Sequence, residues 1–268
     1  MAESESSGLS RLIITVYISW HIANLYFLGD KMNGIYKKAE LSDCKLAYKE
    51  KGQGEVLILL HGNGENSEYF KLQFDFFSKH FRVIALDSRG HGKSERGKKK
   101  LSLNQLASDL REFMDAMKIE KASLLGFSDG GNIALLFALQ NVSRVNKLIL
   151  YGANLNTKGV LLSCQLPVYI NSLLLFLPSL FLKKAKSKRE ILSLMIGQPN
   201  ITKGDLSALT LPVLVIAGTK DMIKESHTRY ISDWIKNSKL IFLNGSHFVS
   251  QENPDGFNSE CLSFLNHE

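Results

Sequence analysis

Ser128 lies in Gly126-Phe127-Ser128-Asp129-Gly130, between the apolar run Ala122-Ser123-Leu124-Leu125 and the segment Asn132-Ile133-Ala134-Leu135-Leu136. A strand, a turn too sharp for bulky side chains and then a helix form a nucleophile elbow, which lifts one hydroxyl out of a sheet. A serine hydroxyl is a weak nucleophile at neutral pH and requires a base to take its proton. Two later residues fit the chain order serine, acid, histidine. Asp221 follows Leu214-Val215-Ile216-Ala217-Gly218-Thr219-Lys220, and His247 follows Leu240-Ile241-Phe242-Leu243-Asn244-Gly245-Ser246. In that order His247 would accept the Ser128 proton and later return it to a leaving group. Asp221 would fix the imidazole tautomer and stabilise the transient imidazolium. All three stand at the carboxyl ends of strand-like runs, where open α/β sheets bind ligands.

A developing oxyanion needs donors as well. The loop His61-Gly62-Asn63-Gly64, after 56–60, offers the backbone N–H of Asn63, and the elbow offers that of Asp129. Removing one such donor in a known case costs about 2.7–4 kcal/mol. His61 reads as a post that holds the loop. Asp87-Ser88-Arg89-Gly90-His91-Gly92-Lys93-Ser94 ends another apolar run. Its His91 precedes the nucleophile and has no acid in order, so it reads as part of a tight turn with polar groups tied to backbone. The carboxylate of Asp129, at a helix start, suits the helix dipole; a sharper alternative is that it repels anionic substrates.

The elements that position these groups alternate along the chain. Strand-like runs are expected at 41–48, 55–60, 82–87, 122–127, 146–151, 211–217 and 239–243. Helices are expected near 65–79, 102–118, 129–141, 224–237 and 254–266. Most strand runs are continuously apolar, as when helices cover both faces of a parallel sheet. The pattern predicts a doubly wound, mostly parallel α/β fold. Residues 154–209 break the rhythm with Leu173-Leu174-Leu175-Phe176-Leu177-Pro178-Ser179-Leu180-Phe181-Leu182 and no strand. They read as a helical insertion, because structureless loops of that length are uncommon in compact domains.

With 268 residues, 44% hydrophobic and 22% charged, the chain suits one globular domain with an insertion rather than a disordered protein. Cys44, Cys164 and Cys261 lie far apart with no metal-ligand spacing, which argues against a disulfide framework and a zinc site and fits a reducing, cytoplasmic setting. The net charge of +7 is carried by two clusters, 93–100 and 183–190, each with five cations and one anion. Neither is interleaved with aromatics, so nucleic-acid binding is disfavoured. Residues 12–28 form an apolar run containing Thr15, Ser19, His21 and Asn24, at the lower limit for a membrane span. Three readings stay open for this leader at 1–30: a helix packed on the domain, an interfacial or spanning anchor, or a cleaved signal. With both basic clusters it makes peripheral membrane association plausible, the rival being a solvated charged face.

The loop His61–Gly64, the segment Asp87–Ser94, the elbow Gly126–Gly131, Asp221 and His247 together resemble the α/β-hydrolase superfamily over roughly residues 41–266. The resemblance implies a core at 31–153 and 210–268 with a helical cap at 154–209. It implies a cofactor-independent, metal-independent serine hydrolase acting on a small ester, with thioesters, lactones and C–C bonds as alternatives. The serine argues against the subgroups that use an aspartate nucleophile. In such a protein the cap and elbow supply an apolar wall for the acyl group, for which Phe127, Leu174, Phe176 and Phe181 are the candidates. A non-catalytic binding or scaffold protein on the same fold is the alternative of a different class.

Overall fold

The computed structural model describes Met32 and residues 34–266. The leader at 1–30, with its apolar run 12–28, lies outside the described residues.

The chain opens with β1 (Lys37–Glu40) and β2 (Lys45–Lys51), then β3 (Val56–Leu60), α1 (Lys71–Phe77), β4 (Arg82–Leu86), α2 (Leu103–Ala116), β5 (Ala122–Phe127), α3 (Asp129–Gln140) and β6 (Val145–Tyr151). Helices α4 (Leu162–Leu174), α5 (Phe176–Phe181), α6 (Lys183–Ser193) and α7 (Lys203–Ser207) follow. The chain then returns through β7 (Val213–Lys220), α8 (Glu225–Asp233), β8 (Ser238–Ser246), α9 (Val249–Glu252) and α10 (Pro254–Asn266). The eight strands form one sheet in the order β1-β2-β4-β3-β5-β6-β7-β8. β1 with β2 and β2 with β4 are antiparallel, and every other neighbour is parallel.

Two of the expected strand runs differ in the structure. The run at 41–48 is not a single strand, because Leu41 N–H bonds Cys44 O at 2.9 Å and closes a turn between β1 and β2. The Asp43 carboxylate in that turn accepts the distant Lys98 N–H at 2.9 Å and Lys99 N–H at 3.1 Å. The last strand is also longer than 239–243, since its pairing with β7 continues to Lys220–Ser246 past a register shift.

Side-chain alternation explains why the sheet is covered on both faces. Ile58 and Leu60 of β3 pack with Leu106, Leu110 and Phe113 of α2 and Ile133 and Phe137 of α3. Leu57 and Leu59 pack on the other side with Phe74 and Phe77 of α1 and Phe257 of α10. Phe113 and Phe257 are fully buried, so truncating either to alanine should cost about 3–5 kcal/mol. Ser102 caps α2 by accepting the Gln105 N–H at 3.1 Å, worth about 1 kcal/mol.

Helices α4 to α6 pack on one another and are tied back at several points. Leu161 N–H bonds Met222 O at 2.9 Å, Leu103 N–H bonds Gln198 Oε1 at 3.0 Å, and Arg96 pairs with Glu190 at 2.8 Å. Among the described residues no helix is long and apolar enough to cross a membrane.

Candidate active site

The turn at Ser128 is built by sterics. β5 is buried along its whole length, and the chain then reverses with Ser128 at φ 53° and ψ −118°. A non-glycine residue at positive φ costs of order 1–3 kcal/mol and persists where its surroundings over-determine it. Here Ser128 N–H bonds Tyr151 O at 2.8 Å, and Ser128 O accepts the Asn132 N–H at 3.0 Å. The flanking glycines are required by close approach. A Cβ on Gly126 would sit 2.2 Å from Gly130 O, and one on Gly130 would sit 1.9 Å from Leu60 O.

His247 follows β8 and Asp221 follows β7. The imidazole Nδ1 and the Asp221 carboxylate Oδ1 lie 2.6 Å apart. Both side chains are nearly enclosed, at 7% and 3% exposure, so the pair interacts in a medium less polar than water. Asp221 Oδ1 also accepts the Ile223 N–H at 2.8 Å, while Oδ2 is buried with no hydrogen-bond partner among the described residues. Tyr151 Oη donates to His247 O at 2.5 Å and fixes the backbone. The imidazole stands over Gly152, where a Cβ would come within 2.7 Å of His247 Cε1. Ser128 is held by the carbonyl of Tyr151, the residue just before, and the Phe127 ring lies 4.8 Å from the His247 ring. The backbone of Ser128 thus neighbours Tyr151 and Gly152, over which the His247–Asp221 pair stands. Among the hydrogen bonds of the described residues, none occupies Ser128 Oγ or His247 Nε2. Such contacts often tighten only when substrate is bound.

The loop after β3 lies beside this group. His61 is fully buried; its Nε2 accepts the Ser88 N–H at 3.0 Å and its Nδ1 donates to Gly62 O at 2.8 Å. Burial pushes its pKa down to about 4, so the ring is a neutral structural post. Gly62 N–H is taken by the Glu65 carboxylate at 3.0 Å, and a Cβ there would press the Phe127 ring at 3.0 Å. Asn63 Nδ2 donates both to Asp129 Oδ2 and to Ile191 O of α6, each at 2.9 Å. That nitrogen joins the loop, the start of α3 and the helical segment above. No hydrogen bond among the described residues uses the backbone N–H of Asn63 or of Asp129. The latter is an orphan donor of the first helical turn, so both expected oxyanion donors are available.

The Asp129 carboxylate is not merely a helix-end charge. It is buried and accepts from Asn63 and, at 3.5 Å, from Asn132 Nδ2. Burial pushes its pKa up to about 6, despite those donors. Glu65, one loop away, is pushed up to about 8 by burial. Glu65 escaped the sequence reading because nothing in Gly64-Glu65-Asn66 separates a loop-binding carboxylate from a surface one. Gly152 and Tyr151 were also missed, since the spacing from Ser128 gives no sign that β6 forms the floor of the site.

The segment after β4 is a closed turn. The Asp87 carboxylate accepts Ser67 N–H at 2.8 Å and Lys93 N–H at 2.7 Å. Gly92, at φ 51°, leaves room where a Cβ would be 2.1 Å from that carboxylate. Arg89 is fully buried against Asp109, with bonds of 2.6 and 2.7 Å, and against Asp43. His91 Nδ1 meets Arg89 O at 3.0 Å, and burial followed by the neighbouring His61 holds its pKa down to about 3.

The four expected wall residues do not line one surface. Phe127 is 1% exposed and stacked between Tyr69 and Tyr151, at ring distances of 4.4 and 4.6 Å, so it supports His247 from below. Leu174 and Phe181 are 67% and 83% exposed and face solvent; Phe176 is 44% exposed with the Arg189 guanidinium 4.8 Å from its ring. The reason is that α4 and α5 bury little of their apolar surface on the core.

The alpha/beta hydrolase fold family matches residues 55–192, and the chain belongs to that family. It is similar to 2-hydroxy-6-oxononadienedioate/2-hydroxy-6-oxononatrienedioate hydrolase 1 of Dechloromonas aromatica, at 29% identity over 84% of this chain and 92% of that protein. The match to proteins of Mycobacterium bovis and Mycobacterium tuberculosis, at 34% identity over 114 residues, spans only 33% of their length. In fold it resembles the enol-lactonase of Burkholderia xenovorans, with a TM-score of 0.73 at 22% identity over 86% of this chain and all of that one. It also resembles an esterase of Thermogutta terrifontis, with a TM-score of 0.71 at 19% identity over 87% and 98%.

Proposed function

We propose that this protein is a serine hydrolase of small, uncharged esters, working through an acyl-Ser128 intermediate. The observation that carries this reading is the enclosed 2.6 Å His247–Asp221 pair standing over Gly152, beside the strained Ser128 elbow. Ser128 Oγ attacks the ester carbonyl carbon while His247 Nε2 takes its proton. The carbonyl oxygen becomes an oxyanion, held by the N–H groups of Asn63 and Asp129. Collapse expels the alkoxide, which leaves as the alcohol after taking the proton from His247. Water, deprotonated by His247, then attacks the acyl group, and the second collapse releases the acid and restores Ser128. Asp221 orients the ring and offsets its charge in both halves.

The ester reading is favoured over cleavage of a dicarboxylate by the electrostatics. The D. aromatica relative is named for a dienedioate, but the buried carboxyl of Asp129, whose pKa burial pushes up to about 6, directly follows Ser128 here. Asp129 has no cationic side chain among its hydrogen-bond partners. A carboxylate substrate would be repelled, and a neutral acyl group would not. We further assign residues 154–209 as a cap over the site, tethered through Asn63–Ile191 and Arg96–Glu190.

The test is labelling by a fluorophosphonate followed by an ester panel varied in acyl length and charge. Wild type should label and Ser128→Ala should not, and neutral esters should turn over faster than anionic ones of equal size. No labelling of folded wild type would instead make the protein a binding or scaffold member of its family.

A further inference from the structure

We propose that the outer face of residues 161–182, with the lysines that follow it, docks on a bilayer bearing anionic lipid. This goes beyond the reaction at Ser128 and does not depend on it. Of the 16 large hydrophobic side chains exposed among the described residues, 12 fall in residues 161–182. Leu162, Leu173, Leu174, Leu177, Leu180 and Phe181 are each exposed by 61% or more. Scattered exposed leucines are ordinary, but a contiguous apolar face of this kind marks an interaction surface.

The sequence around that face is divided by charge. No Asp, Glu, Lys or Arg occurs between Lys158 and Lys183. Lys183, Lys184, Lys186 and Lys188 then crowd the first turns of α6, and all four are exposed. None of the four is in an ion pair among the described residues, whereas Glu190, the one acid of the cluster, is taken by Arg96 at 2.8 Å. That same pair brings the first basic cluster, with exposed Lys98 and Lys100, against the second. Apolar side chains beside unpaired lysines fit a boundary where acyl chains meet anionic headgroups. Each cation there contributes on the order of 1 kcal/mol.

Geometry fixes the mode. Helix α4 has 13 residues and α5 has six. At 1.5 Å per residue neither approaches the roughly 30 Å of a hydrocarbon core. A short helix with one exposed apolar face lies in the interface instead. A second copy fits poorly, because a two-fold contact through this face sets lysine cluster near lysine cluster.

The experiment is co-sedimentation of the full chain with vesicles of phosphatidylcholine, alone or with phosphatidylserine. Wild type should pellet with the anionic vesicles, less so at high salt. K183Q/K184Q/K186Q/K188Q should lower that partition about tenfold or more. L173E/L177E/L180E should remove it while keeping the thermal midpoint, since these side chains already face water. Ser128→Ala should partition as wild type, which separates this result from the catalytic one. Three results would overturn the proposal. They are variants that pellet like wild type, binding that vanishes only on removing residues 1–31, or a lipid-free dimer that the triple glutamate variant splits.

Discussion

Two histidines stand at carboxyl ends of strands, His61 after β3 and His247 after β8, and their hydrogen bonds give them opposite characters. Both are buried. His61 spends both ring nitrogens on backbone, accepting from Ser88 and donating to Gly62. His247 spends one nitrogen on Asp221, and its other nitrogen, which has no hydrogen bond among the described residues, is the one proposed to serve Ser128. A ring with both nitrogens committed is a brace, whereas a ring with one nitrogen held by a carboxylate is a base waiting for a proton. Residue type, burial and position at a strand end are shared, so the partner of each nitrogen decides the role.

The comparison can be broken most directly at the reacting groups. Ser128→Ala and His247→Gln should each lower turnover about 10⁶-fold, with the double variant no worse, because residues that act as a unit are not additive. Steady-state rates on a neutral ester, with melting curves near wild type, would establish this. Asp221→Asn should lower turnover about 10⁴-fold, since the amide leaves the imidazole in the wrong tautomer; a loss below tenfold would remove Asp221 from the proposed triad. His61→Ala should act on stability instead. It leaves the buried Ser88 N–H without its partner and Gly62 O with only the Glu65 N–H at 3.3 Å, and should cost about 1–3 kcal/mol in a urea titration. If His61→Ala folds normally but is as inactive as His247→Gln, the brace-and-base distinction fails.

A smaller effect separates the pH responses of the two loops. His91 is held at about 3 in the fold, against 6.5 in the unfolded chain, so the unfolded chain binds the proton first. That contribution to stability is complete above about pH 6.5 and is lost as pH falls towards 3. Glu65 has the opposite sign: raised from 4.5 to about 8, it binds its proton more tightly in the fold. Its contribution is complete below about pH 4.5 and is lost as pH rises through 8. Denaturation midpoints compared between pH 5 and pH 9 should therefore fall for wild type relative to Glu65→Gln. Compared between pH 7 and pH 4, they should fall for wild type relative to His91→Gln. Parallel pH curves for variant and parent would show that burial does not set these groups.

The elbow was legible because its cause is local. Gly126 is demanded by a 2.2 Å approach to Gly130 O across one turn, and such sterics leave a short motif, whereas the 1.9 Å approach of Gly130 to Leu60 O comes from the neighbouring strand. The parallel strands were legible as continuous apolar runs for the same reason. The β1–β2 hairpin was harder to see, since a Ser42–Asp43 turn interrupts a run that alternates as one strand. The apolar stretch at 173–182 reads as a wall for substrate from composition, yet most of it faces outward. Hydrophobicity alone does not say on which side a helix finds its partner.

Chain order and local sterics thus carried the serine turn, the succession Ser128, Asp221, His247 and the alternation of strands and helices. Only the tertiary structure decided that Gly152 clears the space for the imidazole, that Glu65 holds the loop amide, and that Asn63 links loop, elbow and Ile191. The physical reason is range. Turn sterics and periodicity act over a few residues, whereas the environment of a nitrogen or a carboxylate is set by groups far along the chain that arrive only when the sheet is assembled.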